Sequence, residues 1–82
     1  MRVEVRLFGP LKRYLPQSSI GQRATLELTD DATVENLLMA LNITGMEFIV
    51  TVNDTPVNRS HRLNDGDIVS IYPPIAGGNM RL

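Results

Sequence analysis

The residues best suited to chemistry lie near the end of the chain. Pro73-Pro74-Ile75-Ala76-Gly77-Gly78 follows a β-rich run and precedes Asn79-Met80-Arg81-Leu82. Two successive prolines cannot donate to a sheet ladder and favour a polyproline-type path, so they launch the chain stiffly outward. Ala76, Gly77 and Gly78 then remove nearly all side-chain bulk. At about 3.3 Å per extended residue, the stretch from Pro73 to Gly78 reaches about 20 Å. A slender end of that length can thread a narrow channel and present a backbone carbonyl inside another protein's active site. Glycine suits the reacting position because no Cβ blocks a nucleophile or a nucleotide from that carbonyl. A Gly-Gly pair also arises by chance in inert tails; its place behind Pro-Pro and a last strand is what gives this one meaning.

The rest of the chain offers no catalytic constellation. It contains no cysteine, which excludes a disulfide scaffold, a Cys-ligated zinc or iron–sulfur site and a thiol nucleophile. His61 is the single histidine and sits in the polar stretch Asn58-Arg59-Ser60-His61-Arg62, where it reads as a surface residue. A site there would need convergent partners that the spacing does not supply. Asp30-Asp31 precedes a helix and Asp65/Asp67 flanks Gly66, so capping and turn formation account for both pairs. A calcium loop would need further acidic positions and a closing Glu. Gly9 and Gly21 stand alone, so no phosphate-binding loop is present. With 5% aromatic residues, Tyr14 among scattered basic side chains makes no stacking platform for nucleic acid. The expectation is no metal, no bound cofactor, no nucleic acid and no enzyme, but a protein that is itself carried, recognised or modified.

Elements must hold that tail. Val3, Val5 and Leu7 alternate with Arg2, Glu4 and Arg6, which predicts a half-buried strand closed by Gly9-Pro10. Residues 11–15 have room for one helical turn before Pro16, and 16–22 read as an exposed loop. Ala24, Leu26 and Leu28 alternate with Arg23, Thr25, Glu27 and Thr29 as a second strand. Val34, Leu37, Leu38 and Leu41 form one helical stripe, with Thr33 as N-cap, Glu35 in the first turn and Gly45 as the stop. Phe48 to Val52 lacks clean alternation and predicts a strand covered on both faces or nearly so. Asn53-Asp54-Thr55-Pro56 is a turn, Val57 a candidate for a short returning strand, Asn64-Asp65-Gly66 a second turn, and Asp67 to Tyr72 the last strand. The order β-β-α-β-(β)-β predicts an α+β chain with a mixed sheet of four to five strands wrapped on one main helix, the ubiquitin-like β-grasp arrangement. Residues 1–72 are expected to form this domain, and residues 73–82 an extended flexible tail.

The 82 residues hold one small domain, and 43% apolar with 21% charged residues place it in the globular range. No run approaches a membrane span, and Met1-Arg2-Val3-Glu4 lacks a signal-peptide core, so a cytoplasmic protein without membrane partners is expected. The net charge of −1 hides an asymmetry. Arg2, Arg6, Lys12, Arg13 and Arg23 against Glu4 leave residues 1–23 at +4. Eight carboxylates against Arg59 and Arg62 leave residues 24–72 at −6. Such a pattern reads either as a solvated surface or as an acidic face that docks on a basic partner.

The stretch from Val52-Asn53-Asp54 through Leu63-Asn64-Asp65-Gly66-Asp67-Ile68-Val69 to Pro73-Pro74-Ile75-Ala76-Gly77-Gly78 resembles the C-terminal half of the MoaD/ThiS sulfur-carrier family, its MoaD branch in particular. The strand Val3-Glu4-Val5-Arg6-Leu7-Phe8-Gly9 and the helix start Ala32-Thr33-Val34-Glu35-Asn36-Leu37-Leu38 also fit. The resemblance implies a ubiquitin-like fold and a terminal glycine whose carboxylate an ATP-dependent activating enzyme adenylylates. Sulfur then replaces AMP, and the resulting thiocarboxylate donates sulfur to a synthase or sulfurylase in molybdopterin-type or related biosynthesis. On that basis Gly78 is the acyl-bearing position, Gly77 its slim neighbour and Ile75 the apolar anchor in a partner's channel. ATP belongs to the partner, and no cofactor is bound. Here Gly78 is followed by Asn79, so its carboxyl is an amide. Some relatives carry a few residues after Gly-Gly and are trimmed by a JAMM-type metalloprotease, and on that resemblance Gly78–Asn79 is the expected cleavage bond. The alternatives are a protein modifier conjugated through Gly78 and a non-covalent interaction module.

Overall fold

The computed structural model describes residues 1–16, 21–43 and 48–73. Five strands run β1 Arg2–Leu7, β2 Arg23–Glu27, β3 Ile49–Val52, β4 Thr55–Pro56 and β5 Ile68–Tyr72, with the helix α1, Val34–Ala40, between β2 and β3. A 3-10 turn, Gly9–Tyr14, takes the place of the single helical turn expected after β1.

The strands form one sheet in the order β2-β1-β5-β3-β4. The central strand β5 pairs in parallel with β1, while the other pairings are antiparallel. Period-2 alternation sends Val3, Val5, Leu7, Val50, Val52, Val69 and Ile71 to one face, where they meet Val34, Leu37, Leu38 and Leu41 in one buried cluster. This is the expected β-grasp architecture, an α+β fold with one helix covering one side of a mixed sheet. The short helix gains its stability from this packing rather than from its own propensity.

Helix ends follow local chemistry. Thr33 caps the start as expected, its Oγ accepting the Asn36 N–H at 3.4 Å while Asn36 Oδ1 accepts the Thr33 N–H at 2.9 Å, a reciprocal capping box. The stop differs from expectation. Asn42 adopts φ 63°, its N–H donates to the Met39 carbonyl at 3.1 Å, and the Ile43 N–H donates to Leu38 at 3.0 Å. These bonds make a Schellman end in which asparagine does the work assigned to Gly45, which lies outside the described residues. The buried Ile43 completes it by joining the same core as Leu38.

Two further expectations are corrected. β3 is covered on one face only, with Ile49 40% exposed on the other. A single helix cannot cover both sides, and the blurred alternation came from Ile49 being apolar at an outward position. The turn after β3 is also tighter than 53–56. Asn53 and Asp54 alone make it, with φ 51° and 70°, the positive pair that a two-residue hairpin requires. Thr55 and Pro56 already pair with Val52 and Thr51 as β4, and the Val57 N–H adds a bond to the Val50 carbonyl.

Candidate functional site

β5 carries the segment of interest. It lies between β1 and β3, so the chain leaves from the middle of the sheet and not from an edge. The last turn of the ladder is held by the Phe8 N–H, which donates to the Ile71 carbonyl at 3.1 Å. Tyr72 follows, then Pro73. Of the tail residues singled out in the sequence, the structure describes Pro73; Pro74, Ile75, Ala76, Gly77, Gly78 and Asn79 lie outside the described residues.

The root of the tail is an aromatic step. The Phe8 and Tyr72 rings stack at 4.6 Å between centroids and 4° between planes. Ile49 stands opposite Tyr72 across the β3·β5 ladder. These three side chains form an apolar row on the sheet face away from the helix, at the end where β5 gives way to Pro73. Gly9 explains how β1 leaves beside it. Gly9 has φ +59°, and a Cβ there would stand 3.2 Å from Pro73 Cγ. Glycine therefore serves both the left-handed turn and the close passage of the two exits.

Sequence reasoning missed Phe8, Tyr72, Ile49 and Gly9 as members of one site. A signal existed: Phe8, Ile49 and Tyr72 are large and apolar at positions whose strand parity points them outward. Their meeting depends on β1 pairing with β5 across most of the chain length, which no local pattern specifies.

The acidic residues that gave the middle of the chain its charge are mostly engaged within the domain. Glu27 pairs with Arg2 at 2.9 Å, Asp30 with the N-terminal ammonium at 3.3 Å and Glu35 with Arg59 at 3.7 Å. Asp67 is buried, accepting Asn53 Nδ2 at 3.0 Å and the Asn64 N–H at 2.8 Å, while Asn53 Oδ1 takes the Ile68 N–H. Glu47 lies outside the described residues. Asp67 is buried, while Glu27, Asp30 and Glu35 remain exposed although paired.

The described residues hold no group of three histidine, cysteine or carboxylate side chains able to grip a metal ion. His61 acts through its backbone, its carbonyl accepting the Val34 N–H at the start of α1. The depression bounded by Arg2, Glu4, Thr25, Asp65 and Ile68 is open and lies at the opposite end of the outer face from Tyr72. No described helix is long and apolar enough to cross a membrane. What the described region presents is an apolar row beside the point where β5 ends and the chain reaches Pro73.

Known proteins share this plan. The ThiS family profile matches residues 5–78. The molybdopterin synthase sulfur carrier subunit of Escherichia coli is 35% identical over 68 residues, covering 72% of this chain and 84% of that protein. Small archaeal modifier protein 3 of Haloferax volcanii is 32% identical, over 95% of this chain and all of that protein. Among solved structures, a chain of the protein–protein complex of subunits 1 and 2 of molybdopterin-converting factor from Helicobacter pylori matches with TM-score 0.63 and 29% identity, over 95% of this chain and 100% of that one.

Proposed function

We propose that this chain, which belongs to the ThiS family, is a sulfur-carrier precursor whose working group is the carbonyl of Gly78. The observation that carries this reading is the extent of the family match, which runs from β1 to Gly78 and stops where Asn79 begins. Hydrolysis of the Gly78–Asn79 bond by a JAMM-type metalloprotease adds water and frees a carboxylate. That carboxylate attacks the α-phosphorus of ATP on an activating enzyme, giving an acyl-adenylate and pyrophosphate. A sulfide equivalent attacks the acyl carbon, AMP leaves, and a thiocarboxylate remains. The thiocarboxylate then donates its sulfur to a synthase or sulfurylase in molybdopterin-type or related biosynthesis.

The domain supplies placement in this scheme, and the partner enzymes supply catalysis and ATP. β5 fixes the origin of the tail, Pro73 and Pro74 stiffen its departure, and Gly77 and Gly78 keep the reacting end thin. The row Phe8, Tyr72 and Ile49 gives a partner an apolar surface beside that origin. An aromatic step of this kind suits an interface core, where large rigid side chains contribute most of the binding energy.

The test compares two chains with the ATP-dependent activating enzyme of the same organism. A version ending at Gly78 is expected to acquire AMP, and the form continuing to Leu82 is not. Failure of the shorter version to take AMP would overturn the reading. A second reading, conjugation through Gly78 to amino groups of other proteins, is favoured by the match to a small archaeal modifier protein over 95% of this chain. Higher-mass adducts that disappear on Gly78 deletion would support it, and their absence from cells growing on all tested sulfur sources would remove it.

A further inference from the structure

We infer that the outer face of the sheet beside the tail root is built to receive a carboxylate of the activating enzyme, held between Arg6 and Arg23; the inference rests on the sulfur-carrier reading above.

Three cross-strand pairs stand on the outer face of β1 and β2: Arg2 opposite Glu27, Glu4 opposite Thr25, and Arg6 opposite Arg23. Their neighbours in the ladder carry the hydrogen bonds. Leu28 donates to the Met1 carbonyl and Leu7 to the Gln22 carbonyl, so the three outer pairs occupy the non-hydrogen-bonded positions where facing side chains approach most closely. At such a position opposite charges stabilise the sheet and like charges destabilise it. The first pair obeys this rule, since Arg2 and Glu27 are bridged. The last pair breaks it with two arginines.

Neighbours compensate this break only in part. Glu4, two residues along the same face, accepts from Arg6 Nε. Arg23 is exposed and makes no ion pair among the described residues. Ser70, beside Arg6 across the β1·β5 ladder, brings no charge. The uncompensated cation therefore lies at the tail end of the sheet, on the face that carries Phe8 and Tyr72. Lys12 and Arg13, both exposed, follow in the 3-10 turn that leaves from the same end of β1.

A local rule broken beside a functional surface points to a group that arrives from outside. The chemistry that suits two guanidinium groups is a carboxylate, which accepts their planar forks in bidentate fashion. Such a contact next to an apolar row fixes the orientation in which the domain docks, and long-range attraction raises the rate of encounter.

Steady-state adenylylation of the chain ending at Gly78 tests this, with the activating enzyme of the same organism as the probe. Arg23→Glu is expected to raise the KM for the carrier about tenfold at low salt, leave kcat within about twofold, and flatten the salt dependence. Arg23→Lys keeps the charge and should recover most of the KM. Arg2→Ala, at the far end, should behave as the parent. In isolation Arg23→Glu should melt no lower than the parent, because it replaces a like-charged pair by an opposite one. A lower melting temperature overturns the inference, and so does an unchanged KM. A fall in kcat at unchanged KM also overturns it, assigning the arginines to the phosphate of the acyl-adenylate instead. If the parent itself takes no AMP, the sulfur-carrier reading fails and this docking site fails with it. If the parent is adenylylated and Arg23→Glu matches it, this docking site alone fails.

Discussion

At the end of the sheet where β1 and β5 begin, the polar groups described above answer one another. Arg2 is bridged to Glu27, the N-terminal ammonium meets Asp30, and Asp67 is enclosed by Asn53 and Asn64. At the end where β5 stops, two arginines face each other, a stacked aromatic pair lies on the open face, and a glycine is squeezed against a proline. Both ends belong to the same strands, so the contrast does not come from different architecture. The first end is closed upon itself and contributes stability. The second sets a like-charged pair beside apolar side chains that the domain does not bury.

Substitutions at the two ends should therefore separate stability from docking. The largest loss of stability is expected for Asp67→Ala, which strands Asn53 and the Asn64 N–H. It should cost about 2–3 kcal/mol in urea unfolding and lower the melting temperature by roughly 10 °C or more. Adenylylation of the folded fraction should stay at the parent value; a selective rise in KM would place this end in the interface and break the contrast.

Gly9→Ala comes next. It forces a side chain into φ +59° and against Pro73, and should cost about 1–2 kcal/mol. Because the same change pushes on the tail root, its KM should also rise, unlike that of Asp67→Ala. Phe8→Ala should cost about 1 kcal/mol, chiefly the stack on Tyr72. Its effect on KM should exceed its effect on stability, as expected of an anchor that a partner covers; equal effects on both would make the stack a structural contact only. The smallest change is expected for Glu27→Ala. Its bridge to Arg2 joins groups that are each 69% exposed, so its loss should stay below about 0.5 kcal/mol and leave adenylylation untouched.

The sheet and helix were legible because their signals are local. The Val3-Val5-Leu7 alternation, the Val34-Leu37-Leu38-Leu41 stripe and the Thr33 cap each report on a few adjacent residues. Errors arose where a choice depended on partners distant in sequence. Gly45 looked like the helix stop because glycine suits the left-handed region, yet Asn42 reaches that region first, with Ile43 able to bury itself beside Leu38. Whether Ile49 faced a second layer or solvent depended on the number of covering elements. The tail motif was readable as composition, whereas its root was not. Phe8 meets Tyr72, and Arg6 meets Arg23, only through ladder registers set by the whole fold.

The central position of β5 also governs how the domain behaves under tension. A pull through Pro73 runs along a strand gripped on both sides, by β1 in parallel and by β3 in antiparallel. The ladder bonds on the two flanks then share the load in shear, whereas a strand peeled away sideways gives up its rungs singly. A force applied at Pro73 is therefore carried into the middle of the sheet by rungs on both sides of β5.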